Sequence, residues 1–156
     1  MDDLTIGALL REVTRLYMRI QREDVSYCNN TTSPQCSILT ELGRSGPIPM
    51  SELGRRLGLD KAWISRVVES LVQEGLLTKM SSAVDHRMVI VVLPPAGEDR
   101  NRELNQTLNA QAERVMSRIP ADERAGVFKA LRLLQDALQA EATGAPVPIT
   151  FKEEPR

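Results

Sequence analysis

Hydrophobic residues recur three and four positions apart along most of the chain, which is the spacing of amphipathic helices. This pattern predicts helices over about 4–22, 33–43, 50–57, 61–74, 96–119 and 121–142. Two shorter segments, 76–80 and 87–93, favour strands, and Ile48 offers a further strand of one or two residues. We therefore predict a mainly α fold with a small β-wing.

Two short helices in the middle of the chain lie close together in sequence. The first covers residues 50–57 and is followed by Gly58, because a glycine can adopt the left-handed φ that ends a helix. Asp60 is suited to cap the next helix, and Leu59 and Ile64 are spaced to pack across that cap. Two helices joined by a turn of about four residues indicate a helix-turn-helix.

The second of these helices ends at Gly75 and has one apolar side, made by Ile64, Val67, Val68 and Leu71. With that side buried, the outward residues are Lys61, Ala62, Ser65, Arg66 and Glu69. Small residues allow close approach to a base edge, and arginine can donate two hydrogen bonds to guanine. The exposed side predicts DNA binding, and the alternative is that Arg66 is a solvated surface arginine.

The helix over 33–43 has a clear start in the sequence. Thr32 and Gln35 match a capping box, in which each side chain accepts a hydrogen bond from the other residue's backbone. Pro34 in the first turn removes no bond from the helix. The residues expected to face inward are Cys36, Ile38, Leu39 and Leu42.

The two longer strands form a hairpin whose turn is predicted over 81–86. Its tip carries Asp85, His86 and Arg87, and a basic tip can enter the minor groove beside a helix in the major groove. The hairpin is therefore interpreted as a wing. The alternative is an ordinary surface hairpin with an Asp85–Arg87 ion pair, which stabilises little in water.

The first and last helices have wide apolar stripes. The first carries Ile6, Leu9, Leu10, Val13, Leu16, Tyr17 and Ile20, and the last carries Val127, Leu131, Leu134 and Leu138. The helix between the wing and Pro120 keeps apolar residues at helical spacing, namely Leu104, Leu108, Ala112, Val115 and Ile119. Stripes this wide predict an obligate dimer joined by the first and last helices.

Composition excludes several other classes. The apolar content of 42% with 26% charged residues is ordinary for a globular protein, and no apolar run has the length of a membrane span. We expect a cytoplasmic protein with no membrane contact. The net charge is −1, but residues 44–87 hold seven Lys or Arg against five Asp or Glu. Phosphate contacts should therefore give modest, salt-sensitive affinity per subunit.

The sequence offers little for enzymatic or structural metal chemistry. It has one histidine, no glycine-rich phosphate loop and no plausible cluster of acids, so we predict no enzyme activity. Two cysteines and one histidine are too few for a structural zinc site. No cofactor is required by any of these patterns.

Cys28 and Cys36 leave two interpretations open. Cys36 falls on the buried side of its helix, where cysteine is a common small hydrophobe, whereas Cys28 lies in a polar loop with no packing role. The pair could be sensor thiols for an oxidant, an electrophile or a soft, thiophilic metal ion. The other interpretation is packing for Cys36 and a free surface thiol for Cys28.

Several of these strings, taken in order, resemble the MarR family of winged helix-turn-helix transcriptional regulators. They are Thr32–Leu39, Ser51–Asp60, Ser65–Leu76, and Asp85–Arg87 followed by Gly97. The resemblance covers roughly residues 4–142, as one domain with a DNA-binding part over 33–93 and dimerisation helices over 4–22 and 96–142. Residues 143–156 are predicted to be an irregular tail.

The resemblance implies a homodimer that represses a gene by binding a double-stranded DNA operator, relieved by a small effector or by thiol modification. Candidate DNA contacts are Arg55, Lys61, Ala62, Trp63, Ser65, Arg66, Lys79, His86 and Arg87. Three positions depart from the family pattern, namely His86 for a second wing arginine, Trp63 for a Thr or Ser, and Pro94 for a Thr. The rival function is a winged helix used as a protein-interaction or architectural module.

Overall fold

The computed structural model describes residues 5–144 in two compact units, of which the first ends at Ala112 and the second begins at Glu113. The helices are α1 (Ile6–Ser26), α2 (Ser33–Ser45), α3 (Met50–Leu57), α4 (Lys61–Gln73), α5 (Pro95–Ser117) and α6 (Arg124–Ala142). The strands are β1 (Ile48–Pro49), β2 (Thr78–Ser81) and β3 (Val89–Val92). The prediction of one domain over residues 1–142 stays a prediction.

The start of α2 is fixed by the predicted capping box. The Thr32 hydroxyl accepts a hydrogen bond from the Gln35 backbone at 3.3 Å, and the Gln35 side-chain oxygen accepts one from the Thr32 backbone at 3.0 Å. The Gln35 amide nitrogen then donates to the Glu74 carboxylate at 2.9 Å. One buried side chain therefore caps α2 and also holds the end of α4.

The helix-turn-helix has the predicted end signals. Gly58 follows α3 with φ of 64°, and Gly75 follows α4 with φ of 74°. The Asp60 carboxylate caps α4 by accepting from the Trp63 backbone at 2.8 Å. The Leu76 backbone N–H donates to the Leu71 carbonyl at 2.9 Å, which closes the last turn of α4.

The core of the first unit joins α2, the helix-turn-helix and the sheet. Its fully buried side chains include all four inward residues predicted for α2, and they pack with Leu53, Ile64, Val68, Leu71, Val91 and Leu104. Met50, Leu57, Leu59 and Val67 are partly buried against this cluster. Both sides of the turn between α3 and α4 are therefore held by apolar contact.

The sheet is antiparallel in the order β1-β3-β2, with Ile48 paired to Val91 and Met80 paired to Ile90. The predicted short strand at Ile48 is confirmed. The predicted strand bounds 76–80 and 87–93 were wrong at their ends. Leu76 and Leu77 are buried in the core instead, and the hairpin turn extends to Met88, whose backbone donates to the Asp85 carbonyl.

The first helix differs from the prediction at its end. It continues to Ser26, four residues past the predicted 22, because Val25 is fully buried and stabilises a further turn. Thr5 caps its start by accepting from the Ala8 backbone at 3.3 Å. Residues 1–4, including the predicted start at Leu4, lie outside the described residues.

Of the apolar residues at helical spacing along α5, Leu104 is fully buried and Leu108 is partly buried. Gln111 is buried, whereas Ala112 and Val115 are exposed, and the helix ends at Ser117, before Ile119. By helical repeat Val115 lies only about 20° around the helix from Leu104, so rotation does not explain its exposure. The last buried side chain of α5 is that of Gln111.

Polar side chains line the side of α5 that meets the end of α1 and the loop after it. Arg100 donates to the Thr31 hydroxyl at 3.2 Å, and Gln111 donates to the Asp24 carboxylate at 2.8 Å. Leu104 lies between these contacts and is fully buried. This mixture of polar and apolar contacts was not readable from hydrophobic spacing.

In the second unit, α6 begins at Arg124 rather than at 121, because residues 121–123 form a turn. None of the described residues of α6 is buried, and its apolar residues Phe128, Leu131, Leu133, Leu134 and Leu138 are exposed. Of the predicted tail, residues 143 and 144 are described as a turn, and the remainder lies outside the described residues. No helix among the described residues is long and apolar enough to cross a membrane.

Among the glycines of the described residues, Gly97 is the one that another backbone segment approaches most closely. A Cβ added there would lie 2.1 Å from the Leu76 carbonyl oxygen and 2.9 Å from a Leu93 methyl carbon. We predict that Gly97→Ala lowers the free energy of unfolding by about 2–3 kcal/mol, because the backbone must shift. Gly126→Ala is the matched control, since its Cβ would meet nothing within 4 Å, and it should raise stability by about 0.5–1 kcal/mol. Equal effects of the two variants in chemical denaturation would contradict this.

Candidate nucleic-acid interface

The outward side of α4 has the exposure expected of a reading surface. Ile64, Val68 and Leu71 are buried and Val67 is half-buried, so the apolar side points inward as predicted. The exposed residues of α4 include Lys61, Ala62, Trp63, Ser65, Arg66 and Glu69. Their small and hydrogen-bonding side chains suit contact with base edges in a major groove.

Arg66 is held by an aromatic ring. Its guanidinium carbon lies 5.3 Å from the ring centroid of Trp63, which is three residues earlier on the same helix. This distance is within the range of a cation–π interaction. Within the described part of the chain, Arg66 has no hydrogen bond or ion pair, so its N–H groups remain available to a ligand.

Two other candidate contacts are held by carboxylates. The Lys79 ammonium lies 2.6 Å from the Glu69 carboxylate, and a nitrogen of the Arg55 guanidinium lies 2.6 Å from the Glu52 carboxylate. Hydrogen bonds from Arg55 and then Arg56 lower the pKa of Glu52 to about 2. Each of these cations must therefore leave or share an acidic partner before it can bind a phosphate.

Arg56 was not among the predicted DNA contacts. Its side chain joins α3 to α2. It donates to Glu41 at 3.0 Å, to Ser45 at 2.8 Å and to Glu52 at 2.9 Å. Burial raises the pKa of Glu41, but hydrogen bonds from Arg44, Arg56 and Ser45 outweigh it and leave that pKa below its usual value. The Glu52–Arg56 pair could have been predicted from its spacing of four residues on one helix. The contacts of Arg56 with α2 could not.

The wing tip is shaped by backbone hydrogen bonds. The Asp85 carboxylate accepts from the Arg87 backbone N–H at 3.0 Å, and the Ser82 hydroxyl accepts from the Val84 backbone at 3.2 Å. The alternative of an Asp85–Arg87 side-chain pair was wrong, because the contact uses the backbone of Arg87. The side chains of His86 and Arg87 are exposed.

The base of the wing and the start of α4 lie against one cleft. This cleft has a volume of about 420 Å³, and Lys61, Ile64, Arg87, Met88 and Val89 are among its lining residues. The structure thus brings Lys61 and Arg87 together, two cations that are separated by the whole of α4 and β2 in sequence. Both lack an ion pair among the described residues.

The two cysteines are both free thiols. Cys36 is buried, and burial together with the neighbouring Cys28 raises the pKa of its thiol to about 11. Cys28 was predicted to have no packing role, and this was wrong, because it is partly buried against the core and lies 3.2 Å from the Thr107 hydroxyl. A protonated, buried thiol is a poor nucleophile.

Among the described residues, no group of three His, Cys, Asp or Glu side chains is placed to hold a metal ion. The chain has a single histidine, His86, and it lies on the exposed wing. Cys28 and Cys36 have no third ligand of this kind beside them within that part of the chain.

Comparison with known proteins identifies similar sequences and folds. A model of the MarR family matches residues 31–89, from the α2 cap to the start of β3. The HTH-type transcriptional regulator YfiV of Bacillus subtilis is 24% identical over 83% of this chain and 84% of its own length. The family and these relatives are transcriptional regulators and not enzymes.

Two solved structures show the same fold. Wild-type MarR from E. coli, without ligand, has a TM-score of 0.80 at 22% identity and covers 86% of this chain and 98% of its own. PcaV of Streptomyces coelicolor, in complex with its natural ligand, has a TM-score of 0.64 at 27% identity, covering 85% and 93%. The predicted winged helix-turn-helix fold is thereby confirmed.

The carboxylates beside Lys79 and Arg55 should weaken DNA binding. We predict that Glu69→Gln raises affinity for any duplex about 3–10-fold at low salt, because it removes a negative charge and releases Lys79. One additional phosphate contact would steepen the dependence of log affinity on log salt by about 0.9. Glu103→Gln is the matched control, since Glu103 is an exposed carboxylate on α5 paired with Arg100. An equal gain from both variants would show that only net charge matters.

Proposed function

We propose that this chain, which belongs to the MarR family, is a homodimeric repressor that binds a double-stranded DNA operator and leaves it when a small effector binds. The observation that carries the proposal is the exposed side of α4, where Lys61 and Arg66 have no acidic partner among the described residues. Such a protein works where the DNA is, which we expect to be the cytoplasm.

In the proposed complex, α4 enters the major groove and the wing reaches the adjacent minor groove. Ala62 and Ser65 allow the helix close approach, and Arg66 supplies hydrogen-bond donors for a base. Arg87 is exposed on the wing and lines the same cleft as Lys61. Both cations can therefore bind phosphates of one stretch of the DNA backbone.

Dimerisation is supported by apolar surface in each of the two units. In the first unit, α1 exposes Ile6, Leu9, Val13, Leu16 and Tyr17. In the second unit, α6 has no buried residue and exposes five large apolar side chains. Faces of this kind mark protein interfaces, and a second copy of the chain supplies the same faces in a symmetric dimer.

A small-molecule effector is better supported as the release signal than a thiol reaction. PcaV was solved with its natural ligand, and the first unit here has a cleft of about 520 Å³ lined by α2, β3 and α5, including Asn101, Asn105 and Asn109. A thiol switch through Cys36 has to overcome its burial and its raised pKa. A soft metal ion held by Cys28 and Cys36 has to reach the same buried sulfur.

The rival function is a winged helix that binds proteins or organises DNA without an operator. Duplex DNA selected from random sequence by the purified protein, and a scrambled duplex of equal length, distinguish the two at two salt concentrations. We expect the selected duplex to bind at least about 10³-fold more tightly, with affinity falling as salt rises. Diamide should leave this affinity unchanged. Equal affinity for both duplexes would favour the rival function.

The same titration tests the wing. Arg87→Ala should weaken binding most where the flanking DNA is A·T-rich, because a narrow minor groove attracts arginine. Arg102→Ala is the matched control, since it removes the same charge from an exposed side chain of α5. If both variants lose affinity equally on all flanks, the wing makes no groove contact.

A charge placed on the apolar side of α6 tests the dimer. Leu134→Asp should abolish dimerisation and DNA binding together, because a buried unpaired carboxylate costs several kcal/mol. Lys129→Asp introduces the same group on the opposite side of α6 by helical repeat, and it should leave the dimer intact. Sedimentation at micromolar concentration gives the mass of each variant. A folded monomer of the parent protein would rule out an obligate dimer.

A further inference from the structure

We propose that Trp63 is a positioning residue that presents the Arg66 guanidinium to a guanine and so determines sequence specificity. The inference rests on the proposed function, because it names the base that the reading helix selects. It goes beyond that function in assigning the discrimination to one pair of side chains. The pair consists of the single tryptophan of the chain and the arginine one turn later.

The first step is geometric. The guanidinium carbon of Arg66 lies over the Trp63 ring, 5.3 Å from the ring centroid. A cation–π contact offers the five N–H donors of the guanidinium no hydrogen-bond acceptor, and none of them is hydrogen-bonded within the described part of the chain. Arg66 is therefore held in place while its donors stay free for the O6 and N7 acceptors of guanine.

The second step is the contrast with the neighbouring cations. Lys79 donates to Glu69 at 2.6 Å, and Arg55 donates to Glu52 at 2.6 Å and 2.9 Å. A carboxylate that holds a cation in this way occupies its donors and adds a negative charge near the phosphates. Trp63 restrains Arg66 without occupying its donors and without adding a negative charge. Of Lys79, Arg55 and Arg66, only Arg66 is therefore both restrained and free to donate to a base.

The third step concerns what holds the ring. The Trp63 backbone N–H is fixed by the Asp60 carboxylate at 2.8 Å, within the first turn of α4. The ring lines a cleft of about 280 Å³ together with Thr32, Gln35, Arg66, Val67 and Ser70. Since Gln35 is itself hydrogen-bonded to Glu74 at 2.9 Å, Trp63 shares this cleft with a side chain that joins α2 to the end of α4.

These steps separate specificity from general affinity. A freely moving arginine attracts any phosphate, whereas one held in place with unbonded donors favours an acceptor pair at a defined position. Trp63 is 41% exposed, so shortening it removes little from the core. Loss of the ring should therefore reduce discrimination between base pairs more than it reduces binding to random DNA.

The test is a double-mutant cycle on the selected duplex and on a scrambled duplex of equal length. The variants are Trp63→Ala, Trp63→Phe, Arg66→Ala and the Trp63→Ala/Arg66→Ala pair. We expect Arg66→Ala to weaken the selected duplex about 10–100-fold and Trp63→Ala about 5-fold, with Trp63→Phe in between. Both alanine variants should change binding to the scrambled duplex less than about 2-fold.

In the Arg66→Ala background, Trp63→Ala should have no further effect on the selected duplex. A duplex with 7-deazaguanine, which lacks N7, at the guanine that Arg66 contacts should bind the parent about 10-fold more weakly. That duplex should bind the Arg66→Ala variant as well as the unmodified one. Equal losses from Trp63→Ala in both backgrounds would mean that the ring contacts DNA directly, and this would overturn the proposal.

A second measurement needs no DNA. Because the chain has one tryptophan, quenching of its fluorescence by acrylamide reports the exposure of Trp63 alone. Arg66→Ala should increase the quenching constant by uncovering the ring, and Lys61→Ala on the same helix should not. Unchanged quenching would show that the pair does not form in solution. A parent protein that selects no DNA sequence would instead overturn the proposed function.

Discussion

The Gln35 side chain makes the contact on which the placement of α4 depends. It is buried, accepts from the Thr32 backbone at 3.0 Å and donates to the Glu74 carboxylate at 2.9 Å. One amide thereby completes the cap of α2 and fixes the end of α4. A buried polar bond fixes direction as well as distance, whereas apolar packing alone tolerates sliding. The orientation of the exposed side of α4 follows from this bond and from the apolar residues beneath it.

Charge around the helix-turn-helix is balanced locally rather than left free. Glu52 and Glu69 hold Arg55 and Lys79, while Arg56 connects α3 to Glu41 on α2. The Glu52–Arg55 and Glu69–Lys79 pairs are partly exposed and stabilise the fold little in water. Their greater effect is on binding, because a paired cation attracts phosphate less strongly. The middle of the chain is therefore less basic towards DNA than its count of seven Lys and Arg indicates.

Features set by neighbouring residues in the sequence were predictable. The capping box at Thr32, the glycine stops at Gly58 and Gly75, the Asp60 cap and the inward side of α4 depend on residues within one or two turns. Contacts between distant elements were not, since Glu69–Lys79 and Cys28–Thr107 arise only when the elements pack. The burial of Gln111 on α5 belongs to the same class, because its hydrogen bond to Asp24 on α1 forms only when these elements pack.

The distribution of free cations bears on how such a protein discriminates between DNA sequences. Lys61, Arg66 and Arg87 have no carboxylate partner among residues 5–144, and Arg66 lies over a ring. Few free charges give weak binding to random DNA, because that affinity scales with the number of phosphates neutralised. In the proposed complex, specific affinity must then come from base contacts and from the joining of two subunits, whose contacts add on one operator. Low general affinity also increases specificity, since competing genomic sites retain less of the protein. The acidic partners of Lys79 and Arg55 therefore favour discrimination between DNA sequences over high affinity for DNA in general.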